Sequence, residues 1–100
     1  MTRLVEARAA VEKHLEGCAG DLPEGDALVI LEEETLERSW GWVFFYTSRL
    51  WQQTGELKYA LAGNAPLIYE RDSGRILPTG TALPVAQYIA NYERTGSPGG

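Results

Sequence analysis

An α+β fold is predicted by three observations: a helical apolar stripe near the N-terminus, two β-rich hairpins in the middle, and a proline-led helical stripe near the C-terminus. The expected architecture is an N-terminal helix, a small antiparallel sheet of about four strands built from two hairpins, and a C-terminal helix. Residues 1–94 read as a single domain and residues 95–100, rich in Gly, Ser and Pro, as a flexible tail.

The first helix is expected over Thr2 to Glu16. Leu4, Ala7, Val11 and Leu15 recur at helical spacing, and Arg3, Glu6, Arg8, Glu12, Lys13 and Glu16 take the other faces. Thr2 suits an N-cap and Gly17 a stop. Gly, Asp and Pro then mark a surface connection as far as Gly25.

Leu28-Val29-Ile30-Leu31 begins a strand that is expected to continue through Glu32-Glu33-Glu34 to Glu37. Trp40 to Thr47 answers it across a turn at Arg38-Ser39, with Trp42, Phe44 and Tyr46 on one face and Val43 and Phe45 on the other. Apolar residues on both faces predict a sheet covered on both sides. Two helices look too few for that, so part of one face is expected to await another chain, and a homodimer would supply it. Ser48 to Asn64 fits either a helical turn or an ordered loop. Pro66 to Tyr69 and Arg75 to Leu77 form the second hairpin around Asp72-Ser73-Gly74. Pro84 then opens a helix carrying Val85, Tyr88, Ile89 and Tyr92 on one stripe.

Composition narrows the function. The chain has 100 residues, 44% hydrophobic and 23% charged, with a net charge of −5. An acidic balance disfavours nucleic acid and anionic membrane as partners, since both reward Lys and Arg. No apolar run approaches the roughly 20 residues of a bilayer span, and no secretory leader is legible. A lone cysteine, Cys18, excludes a disulfide framework, so the expected location is the cytoplasm.

Catalytic and cofactor chemistry finds little support. His14 and Cys18 stand four apart, but a helix stopping at Gly17 would separate them, and no third group orients the imidazole. Metal binding needs three or four suitable ligands, and here only carboxylates abound. Gly63-Asn64-Ala65-Pro66 lacks the spacing of a phosphate loop and reads as structural punctuation. No enzyme, cofactor or metal site is expected.

Surface chemistry is more informative. Seven acids lie between Asp21 and Glu37 with no Lys or Arg among them. The simplest account of such a run is a solvated loop and strand end, and the functional one is a surface that steers a basic partner. Trp40, Trp42 and Trp51 lie nearby. Trp42 suits the core, whereas Trp40 and Trp51 are candidates for interface anchors. The expected partner-binding set is therefore Glu32, Glu33, Glu34, Trp40 and Trp51.

Several short motifs then occur in a fixed order. Gly41-Trp42-Val43-Phe44-Phe45-Tyr46 is followed by Leu61-Ala62-Gly63-Asn64-Ala65-Pro66-Leu67-Ile68, Asp72-Ser73-Gly74, Gly80-Thr81-Ala82 and a Pro-led helix ending in Tyr92. This series resembles the YrhB-like family, also called immunity protein 35, from about Ala7 to Tyr92. The Glu32–Glu34 run is not a family signature. The resemblance implies a small bacterial cytoplasmic protein without catalysis of its own. Members are associated with polymorphic toxin systems, where an immunity protein binds and neutralises a cognate toxin, and some relatives with chaperone-like behaviour. Occlusion of a toxin's active site is the leading expectation, and a holdase that prevents aggregation of client proteins is the alternative.

Overall fold

The computed structural model describes residues 3–18, 22, 25–56 and 65–99. Among them the order is α1 (Leu4–Cys18), β1 (Leu28–Ile30), a 3-10 turn (Glu32–Glu34), β2 (Leu36–Arg38), β3 (Gly41–Phe44), β4 (Tyr46–Ser48), α2 (Arg49–Thr54), β5 (Leu67–Glu70), β6 (Ile76–Pro78) and α3 (Val85–Thr95). The α+β class, the terminal helices and the antiparallel pairing are as the sequence predicts. The strands form a four-stranded sheet, β2-β3-β5-β6, and a two-stranded one, β1-β4.

The β1-β4 pair and the β2-β3 pair are the two ends of one long hairpin with a step in it. Ile30 faces Tyr46, but Leu36 faces Val43, so five residues on one arm oppose two on the other. The surplus is the Glu32–Glu34 segment. It does not continue the strand, as expected, but closes into a 3-10 turn in which Glu34 N–H bonds Leu31 C=O at 3.1 Å and Thr35 N–H bonds Glu32 C=O at 3.2 Å. Three adjacent carboxylates repel one another and gain from solvent, so they bulge outward and let the apolar flanks re-pair.

Strand alternation then sorts the core. Trp42, Phe44, Leu67 and Tyr69 face α1, where Ala7, Val11 and Leu15 supply its buried stripe. Val43 and Ile68 face the other way, onto Ile89 and Tyr92 of α3. Both faces of the sheet are thus covered by this chain's own helices. That corrects the expectation of a sheet face left for another chain: one helix suffices per face because the strands are only three or four residues long.

One local feature departs from the sequence reading and two add detail to it. α1 runs through Gly17 to Cys18, because a helical glycine costs only about 1 kcal/mol relative to alanine and does not force a stop. His14 and Cys18 therefore share a helix; His14 is exposed, and the Cys18 side chain lies outside the described residues. The segment after β4 resolves into α2, capped by Ser48 Oγ accepting from Trp51 N–H at 3.1 Å. Asp26 ties this cap to β1, accepting from Ala27 N–H at 2.7 Å, from Leu50 N–H at 3.1 Å and from Ser48 Oγ. After α3, Gly96 adopts φ +82 and the chain folds back, so that Asn91 Nδ2 donates to the Pro98 carbonyl at 3.1 Å. The predicted tail segment makes this contact through a buried proline.

The short motifs acquire physical reasons. Gly41 has φ +151, and a Cβ there would lie 1.9 Å from the Tyr69 carbonyl oxygen, so the turn into β3 admits no side chain. Gly80 leaves room for the Tyr88 hydroxyl, which accepts from Ala82 N–H at 3.2 Å and Leu83 N–H at 3.1 Å. The Ala62–Asn64 part of the Ala-Gly-Asn-Ala-Pro motif lies outside the described residues.

Candidate functional site

The β5–β6 hairpin and α3 together build a polar cluster around Glu70. Its carboxylate accepts from Arg75 Nε at 2.6 Å and Nη2 at 2.9 Å, from the Tyr92 hydroxyl at 2.6 Å and from Ser73 Oγ. The bidentate guanidinium contributes most, with Ser73 and Tyr92 adding to it, and the Glu70 pKa falls to about 2. Burial and the bond to Glu70 push the Tyr92 phenol up to about 12. Neither group exchanges a proton near neutral pH. The cluster is built to hold a shape rather than to transfer protons.

That shape is the floor of a shallow cleft of about 160 Å³, lined by Trp40, Glu70, Asp72, Ser73 and Tyr92. Trp40 leans on Tyr92 with ring centroids 4.6 Å apart at 58°, and its indole Nε1 donates to Glu93 at 3.0 Å. Its position follows from the β2–β3 turn, which presents Trp40 just before Gly41, while Trp40 C=O accepts from Arg71 N–H at 2.8 Å. Asp72, in the turn after β5, is exposed, and its carboxylate has no hydrogen bond or ion pair among the described residues.

The sequence-predicted residues occupy three places. Glu32, Glu33 and Glu34 sit on the 3-10 bulge and are exposed. Arg8 of α1 pairs with Glu32, whereas the Glu33 and Glu34 side chains have no partner among the described residues. Trp40 is half-buried against α3, on the face of the sheet opposite α1. Trp51 is half-buried on α2, beside β4. No described contact joins these three groups.

Residues 5–95 match the family model of immunity protein 35. The chain belongs to the immunity protein 35 family. A stretch of 55 residues is also 46% identical to the uncharacterized protein YrhB of Escherichia coli strain K12, covering 55% of this chain and 58% of that relative. No solved structure matches the chain.

Sequence reasoning found Trp40 but missed what surrounds it. Glu70 and Arg75 carry opposite charges on either side of the Asp72-Ser73-Gly74 turn, a signal that could have paired them; across the hairpin Glu70 N–H bonds Arg75 C=O at 2.9 Å. Tyr92 and Glu93 are far away in sequence, and only the packing of α3 on the sheet brings them to the immunity-family hairpin.

Proposed function

We propose that this chain is a bacterial immunity protein that binds and neutralises a cognate polymorphic toxin by occluding its active site. The observation that carries the reading is the family match over residues 5–95. The acidic bulge supports it: the strands pair without the Glu32–Glu34 surplus, yet the fold spends three residues to hold carboxylates out in water. Such charges act over about a Debye length, roughly 8 Å in physiological salt, so they steer a basic partner without touching the contact itself. Trp40 and Trp51 then supply buried contact, and a standard interface of about 800 Å² per partner excludes substrate and water. The polypeptide works by contact in the cytoplasm, with no reaction of its own.

A holdase would need a broad exposed apolar patch. The exposed large hydrophobics among the described residues are Leu4 and Val5 on α1 and Leu83 ahead of α3, two separate places. That distribution favours one specific partner.

The test is copurification of the tagged chain from its native cell, followed by toxin challenge of cells that carry or lack it. A toxin domain in stoichiometric complex and restored growth are expected. Recovery with several unrelated proteins, or no protection, would overturn the reading. Given the complex, replacing Glu33 and Glu34 with Gln should lower the association rate about two- to fivefold at low salt and leave dissociation unchanged. An effect confined to dissociation would remove the steering role.

A further inference from the structure

Resting on that reading, we infer that the Trp40–Tyr92 cleft is a socket for one arginine side chain of the partner protein, held by Asp72 and stacked on the Trp40 indole.

The cleft is small. About 160 Å³ is below the roughly 300–1,000 Å³ of ordinary small-molecule sites and suits a single side-chain head group. The rim of the cleft is negatively charged. The Glu70–Arg75 pair cancels internally, and Asp72 and Glu93 leave the rim negative. Glu70 is not available to a ligand because Arg75, Ser73 and Tyr92 already occupy its oxygens. Asp72 is available, since among the described residues nothing pairs with it. Its carboxylate offers two oxygens to a planar guanidinium fork, a geometry that an ammonium cannot match.

The chain already holds one such arrangement of its own. Two residues along, Trp42 carries exactly the occupant that Trp40 lacks: the Arg71 guanidinium lies 4.6 Å from the Trp42 ring centroid, with Glu37 accepting from it at 3.3 Å. Indole, guanidinium and carboxylate thus form a complete triad on one face of the hairpin. On the other face the indole and carboxylate are present, and no cation lies over Trp40 among the described residues. A partner's arginine completes the second triad.

The experiment follows the Trp40 indole N–H by NMR while acetyl-Gly-Arg-Gly-amide is titrated into the intact chain, beside matched peptides carrying lysine or the uncharged isostere citrulline. A saturable shift with the arginine peptide, weaker with lysine and absent with citrulline, is expected. Asp72→Asn should weaken arginine-peptide binding about fivefold. Trp40→Phe keeps a ring in place and provides a second readout through Tyr92. In the toxin complex, Asp72→Asn should raise the dissociation constant by a similar factor. No saturable shift, an equal response to citrulline, or an unchanged toxin affinity in Asp72→Asn would each overturn the socket. So would a concentration-dependent dimer abolished by Asp72→Asn, which would assign the cleft to a second copy of this chain. If the wild-type chain protects against no toxin, it is the immunity reading that fails, and the peptide titration still decides whether the cleft takes a guanidinium.

Discussion

Trp40 and Trp42 leave the same hairpin on either side of Gly41, point to opposite faces of the sheet, and end in different surroundings. Trp42 is 3% exposed, packs against Tyr69 with centroids 6.2 Å apart, and is roofed by Arg71. Its Nε1 is buried with no acceptor among the described residues, a cost on the order of 1–3 kcal/mol that the aromatic and cation contacts offset. Trp40 keeps its N–H bonded to Glu93 and its edge open to the cleft. One tryptophan has given up a polar contact for packing; the other has kept it and stayed accessible. Alternation alone would put residues two apart on one face; Trp40 instead lies in the turn before β3, and Gly41 at φ +151 re-aims the chain so that the two rings reach opposite faces. What covers each face then decides whether a ring becomes core or contact surface.

The strongest way to break this contrast is Gly41→Ala, which strikes the point where the two faces diverge. The added Cβ would lie 1.9 Å from the Tyr69 carbonyl, on backbone that cannot swing aside, at a φ unfavourable to any L side chain. A loss of about 4 kcal/mol or failure to fold is expected in urea unfolding followed by circular dichroism. A loss under about 1 kcal/mol would mean that the hairpin tolerates a different turn.

The Glu70 cluster gives the next effect. Its folded pKa of about 2 lies below the ordinary 4.5, so the stabilisation it provides is fully present above pH 4.5 and is lost as pH falls toward 2. Arg75 is 60% exposed and therefore screened, which puts the loss at about 1–3 kcal/mol. Urea midpoints measured across that window should fall in the wild type, and the slope should flatten in Glu70→Gln. An unchanged slope in that variant would show that other carboxylates carry the acid sensitivity.

How far the sequence could have led is visible in the same residues. Apolar periodicity placed α1, α3, both hairpins and the faces of Trp42 and Val43, because those signals are local and repeat along the chain. The Glu32–Glu34 bulge was hidden, since three glutamates extend a strand pattern on paper as readily as they interrupt it; only the register of the flanking pairs reveals the step. The covering of both sheet faces was misjudged because strand length, not helix number, sets how much helix a sheet needs. Of the candidate site, Trp40 was legible by residue type alone. Its neighbours were not, because Tyr92 lies 22 residues from Glu70, and Glu93 lies 53 from Trp40.

A smaller effect sharpens the sealed face. Arg71→Ala removes the guanidinium over Trp42 together with its bonds to Glu37 and the Arg38 carbonyl. The expected cost is about 1–2 kcal/mol, with a red shift of tryptophan emission as Trp42 meets water. A stability loss without a red shift would place the role of Arg71 in the strand-end contacts instead.

The smallest expected effect carries the most weight for the open face. Asp72→Asn should leave stability within about 0.5 kcal/mol of wild type, because this exposed carboxylate makes no hydrogen bond or ion pair among the described residues. Its charge also helps to raise the Tyr92 pKa, so the phenol should titrate slightly lower in the variant, which ultraviolet difference absorbance reads directly. A site kept for a partner is expected to have this profile: neutral for folding, costly for binding. If the substitution instead lowered stability by more than about 1 kcal/mol, Asp72 would belong to the turn that holds the hairpin. The two tryptophans would then differ only in depth of burial, with no socket between them to explain.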